Sequence, residues 1–123
     1  MSDNSDRMIE RIGDKIGYTY AALVVVCAAL PVPVALPKGI VTSEEIIPAV
    51  RRVVEIIDEI PLPEGQQAEL FTAAVLWLGA VDLYELLLHT PFEASRAASA
   101  MGILLVAVDT LKDLAAWQRE NGS

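Results

Sequence analysis

The chain is short of the residues that carry chemistry. It has one cysteine and one histidine. The lone Cys27 excludes an internal disulfide. Its place in the most apolar run makes it a small hydrophobe, with no neighbouring base or metal ligand to activate it. The lone His89 excludes a di-metal carboxylate site, which needs a second Glu-x-x-His. No glycine-rich phosphate loop or nucleophile elbow occurs, since Gly13 and Gly17 stand alone. Catalysis, a cofactor and a small-molecule substrate are therefore not expected. Bases are also scarce, nine against seventeen acids, for a formal net charge of −8. Nucleic acid is not an expected partner, because phosphate binding requires a basic face. The amino-terminal stretch MSDNSDRMIERIGDK mixes acids with bases. Ala28 and Ala29 make a poor cleavage site, so the apolar segment between them is expected to stay attached.

What is abundant is apolar surface. Hydrophobic residues make up 54% of the chain, and the mean hydropathy is +0.44. A globule of 123 residues has too much surface for its volume to bury all of that. The excess must face lipid or further copies of the chain. The longest uncharged run, 16–37, lies between Lys15 and Lys38. Its length suits a bilayer, with lysines able to snorkel and Tyr18 and Tyr20 near one edge. Pro31, Pro33 and Pro37 cut its helical part short, and lipid tolerates unpaired backbone poorly.

The periodicity predicts an all-α fold in one domain, residues 1–123, with four helical segments. An apolar amino-terminal helix covers 6–30. A proline-rich crossover leads to an amphipathic helix over 42–60. A tight helical hairpin fills 63–120. In the second helix, Ile46, Ile47, Val50, Val53, Val54, Ile57 and Ile60 recur at i, i+3, i+4, i+7 spacing, with charges opposite. Thr42 with Glu45 reads as a capping box. Thr90 with Glu93 reads as another, with Pro91 at the first helical position, and places the hairpin break between Leu88 and Pro91.

Few residues stand out as candidates. Asp82, Glu85 and His89 share one helical face, and acids and imidazole at that spacing can bind a metal or relay a proton. The simpler expectation is structural: in a hairpin turning near Thr90, Glu85 faces Arg96 or Ser95 and Asp82 faces Ser99, with His89 favoured at a helix carboxyl end. Ala94, Ala98 and Gly102 form a small-xxx-small row that permits close helix packing. Tyr18, Tyr20, Leu23, Val26, Leu30 and Trp77 are candidates for a membrane or subunit interface. Arg7, Arg11, Lys15 and Arg96 would lie at one end of a three-span bundle. Lys38, Arg51, Arg52 and Arg119 would lie at the other, which leaves no charge bias to orient it.

These features predict a small membrane-embedded structural or assembly protein. It would work by helix packing and self-association, with itself and lipid as partners. The rival expectation is a soluble all-α subunit of a shell, filament or virion, cytoplasmic or in an assembly, with apolar subunit interfaces. An ion-handling channel using Asp82 and Glu85 is a third and lesser one.

Overall fold

The computed structural model describes residues 3–39 and 42–121. Its fold is all-α: four α-helices and no strand among the described residues. Helix α1 spans Asp3–Ala28, α2 Ser43–Glu55, α3 Glu64–His89 and α4 Ala94–Asn121. Helices α1, α3 and α4 pack on one another, and α2 packs on α3. Helix α3 runs against α1, with Trp77 beside Ile16 and Tyr84 beside Gly13. Helix α4 runs alongside α1: Arg11 and Tyr18 share a groove with Met101 and Leu105, and Val26 meets Gln118 further along.

The core is built from small residues as much as large ones. Ala73, Ala74 and Ala80 of α3 and Ala97, Ala100 and Ala107 of α4 are fully buried. Alanine at these positions brings the two backbones close and costs little side-chain entropy in a helix. Ile12, Leu23, Leu70, Leu104, Leu111 and Leu114 fill the space between. At Gly13 the Tyr84 hydroxyl lies 2.7 Å from where a Cβ would sit, so a larger residue there would have to push the Tyr84 side chain aside.

Residues 16–37 do not form one continuous span. Helix α1 stops at Ala28, three residues before Pro31. The chain then folds back along its own helix. Val34 N–H donates to the Cys27 carbonyl at 3.0 Å, and the Tyr20 hydroxyl donates to the Pro37 carbonyl at 2.6 Å. Leu30 and Leu36 are buried by this return. The prolines permit it, because they hold extended φ and need no N–H partner. Gly39, at φ +83°, makes the exit in a conformation that side chains resist.

Both capping boxes fail in detail while the helix ends stay close to their expected places. Thr42 is the N-cap of α2, but its side chain makes no cap hydrogen bond; its carbonyl accepts from Glu45 and Ile46 N–H. Thr90 closes α3 and does not open α4. Its hydroxyl donates to the Leu86 carbonyl, and the first bond of α4 runs from Ala97 N–H to the Glu93 carbonyl at 3.2 Å. Helix α2 is also shorter than its apolar repeat. It ends at Glu55 and tightens into a 3-10 turn at Ile57–Glu59. Ile60, ahead of Pro61, is extended, as the steric clash with a following proline requires. The tighter turn still buries Ile60, and Gln67 of α3 donates to the Ile57 and Ile60 carbonyls at 3.2 and 2.8 Å.

Candidate functional site

The candidate polar cluster is split across the hairpin turn. Asp82, Glu85 and His89 are exposed on α3. Glu85 sits 3.3 Å from His89 Nε2 on its own helix, not against Arg96. Arg96 lies 3.7 Å from Glu93 and donates to the Thr90 hydroxyl at 3.3 Å. The expected cross-hairpin pairing of Glu85 with Arg96 is therefore replaced by two local contacts. One helical turn is a shorter reach than the gap between helices, and exposed ion pairs form where the entropy cost is least. Among the described residues, no group of three or more His, Cys, Asp or Glu side chains could hold a metal ion.

The candidate interface residues divide into inner and outer ones. Leu23, Val26, Leu30 and Trp77 are buried within the chain itself. Trp77 donates its indole N–H to the Ile16 carbonyl at 3.1 Å and packs on Tyr20, with ring centroids 5.6 Å apart. Tyr20 is half-buried and held by Pro37. Tyr18 alone of the six is mostly outward, 55% exposed, with the Lys15 ammonium 5.0 Å from its ring centroid. The row Ala94, Ala98 and Gly102 does not pack on α3 or α1. All three are exposed, and a Cβ on Gly102 would meet nothing within 4 Å.

Two surfaces result. The first is an open groove between α1 and α4, about 540 Å³, lined by Arg11, Asp14, Lys15, Tyr18, Met101 and Leu105. Above it, Arg7 and Arg11 border a second hollow with Met8 and Phe92. Among the described residues neither Arg7 nor Arg11 forms an ion pair. The second surface is the outer stripe of α3, with exposed Phe71 and Val75 in its uncharged stretch and Asp82, Glu85 and Leu86 beyond it.

Helices α3 and α4 are long and apolar enough to cross a membrane by length and composition. Yet only 39% of the apolar window of α3 and 33% of that of α4 is buried. The shielded face of each is small, and Phe71, Val75, Leu105 and Val106 point away from the core. The outward set Met8, Phe71, Val75, Leu105 and Val106 went unmarked in the sequence. For the residues of α3 and α4, the signal that could have found it is their position on the far side of the helix from the buried alanines. Neither protein-family models, curated proteins nor solved structures show any match to this chain.

Proposed function

We propose that this chain is a small membrane-embedded structural or assembly protein that acts by helix packing and self-association, with no catalytic role. Its partners are lipid and its own copies, without nucleic acid or a small-molecule substrate. The hairpin of α3 and α4 is the inserted element. The observation that carries the reading is the pairing of apolar composition with incomplete burial. A helix apolar on every side belongs inside something. The 70–81 stretch of α3 is uncharged on every side, and the chain buries only 39% of that helix's apolar window. All buried side-chain polar atoms among the described residues have partners, which a low-dielectric surround demands.

One observation favours the soluble alternative. The uncharged stretches 70–81 and 97–108 each rise about 18 Å, against about 30 Å for a bilayer core. A soluble subunit with apolar interfaces would also leave such faces open in the single chain. Fractionation after an alkaline carbonate wash separates the two. Retention in the membrane pellet supports insertion. Release as a defined oligomer that needs no detergent overturns it.

A further inference from the structure

We infer that the groove between α1 and α4 receives the outer stripe of α3 from a second copy lying in the same direction. This deepens the self-association half of the reading above and rests on it. The two surfaces are complementary at matching heights along the bundle. Gly13 lies beside Tyr84 and Ile16 beside Trp77. Arg11 and Lys15 on the groove therefore stand level with Asp82 and Glu85 on the stripe. Further along, Tyr18 stands level with Val75.

A neighbour related by a sideways step or a rotation about the bundle axis brings bases to acids and apolar residues to apolar residues. The groove has room for it. Ala94, Ala98 and Gly102 are exposed on the same helix as Met101 and Leu105 and carry almost no side chain, and Gly102 has open space before it. Small residues of this kind let a second backbone approach.

An anionic lipid fits less well. Asp14 also lines the groove, and Asp82 and Glu85 at the same height on the same molecule would repel a headgroup layer. The amphipathic α2 of a neighbour does not fit either. Its apolar residues Val50 and Val53 are already buried against α3, which leaves only its charged side to offer. A second copy's α3 supplies both the acids and the apolar stripe. Because groove and stripe are different surfaces, the contact is heterologous and propagates into a ring or a filament.

The test uses the full chain, in mild detergent if carbonate leaves it in membranes and in buffer otherwise, with mass read by light scattering across a concentration series. Two double variants are made: Arg11→Glu with Lys15→Glu, and Asp82→Lys with Glu85→Lys. Each alone should associate at least about tenfold more weakly, since like charges then face each other. Mixed in equal amounts, the two should assemble again, because each supplies the surface that the other now needs. Circular dichroism checks that each stays helical. Should either double fail to fold, Gly102→Leu serves instead; it fills the open space without a clash inside the chain and should also weaken association. Wild-type assembly with both doubles and the Gly102 variant assembling equally well overturns this interface while leaving self-association intact. A wild-type monomer in every condition overturns self-association itself. Loss of binding to phosphatidylglycerol vesicles by the Arg11/Lys15 variant, with oligomer mass unchanged, gives the groove to lipid and also overturns the proposal.

Discussion

The apolar residues of α4 fall into two sets of similar character and opposite surroundings. The inner face carries Ala97, Ala100, Leu104, Ala107, Leu111 and Leu114, each no more than 1% exposed. The outer face carries Ala94, Ala98, Gly102, Leu105 and Val106, all exposed, with Leu105 at 50% and Val106 at 54%, beside exposed Ser95, Ser99 and Asp109. Both are rows of small and branched apolar residues at helical spacing. The lesson is that hydropathy specifies withdrawal from water without specifying the neighbour. On the inner face the neighbours are α3 and α1 of the same chain. On the outer face the described part of the same chain supplies no cover.

The comparison breaks most sharply at two adjacent residues. Leu104→Ala removes a fully buried side chain and should cost about 2–5 kcal/mol of folding stability, as core truncations do. Leu105→Ala, one residue on, should change the stability of the single chain by no more than about 0.5 kcal/mol. Denaturant unfolding of the two variants, at a concentration where the chain is dissociated, reads the difference. Equal losses would place Leu105 in the core and end the inner-outer distinction.

A smaller effect tests how the inner face is held in register. Gln118 is 8% exposed and donates to the Val26 carbonyl at 3.0 Å, near the end of α1. The last carbonyls of a helix have no intrahelical donor and must be satisfied from elsewhere. Gln118→Ala should cost about 1 kcal/mol, because Ala29 N–H still serves that carbonyl. Thermal unfolding checks it, and a null effect would remove Gln118 as the tie between α4 and α1.

Gly102→Ala has the opposite sign on the two faces. Within the chain, alanine has open space and the better helix propensity. The folded single chain should gain about 0.5–1 kcal/mol, while association weakens. Unfolding and mass measurements on the same sample check both signs. A loss in folding stability would mean that Gly102 packs against something inside the chain.

A readout of exposure alone comes last. Cys27 is 0% exposed. A thiol reagent should reach it only through unfolding, so its labelling rate should follow denaturant as the unfolded fraction does. Rapid labelling of the native chain would show that the end of α1 opens on its own.

Much of the fold was legible in the sequence. The four helices, the proline crossover and the break after Leu88 all followed from periodicity and from proline's missing N–H. The chemistry of the caps did not follow. Thr90 lies between the free carbonyls at the end of α3 and the free N–H groups at the start of α4, and its hydroxyl turned back to donate to Leu86, a choice that no local pattern distinguishes from an N-cap. The buried returns were hidden for a different reason. Tyr20 to Pro37, Trp77 to Ile16, Gln67 to Ile57 and Ile60, and Gln118 to Val26 each join a side chain to a backbone carbonyl on another segment. Such bonds depend on which helices meet and carry no sequence period. The row at Ala94, Ala98 and Gly102 was legible as a row of small residues, but the side of the helix on which it lies was not, because the inner row of α4 is also rich in alanine. In the candidate polar cluster the expected pairing of Glu85 with Arg96 did not form, since local partners at i, i+3 and i+4 took both.

The most direct measurement is the water accessibility of the outer face of α4 in the assembled protein. With Cys27→Ala as background, single cysteines replace Leu105 on the outer face and Asp113 at the charged end, and a membrane-impermeant thiol reagent is added. Position 105, half exposed in the single chain, should label at least about tenfold more slowly than position 113, because lipid or a second copy covers it. Equal rates would mean that the outer face stands in water, and would contradict both the membrane reading and the proposed contact between copies.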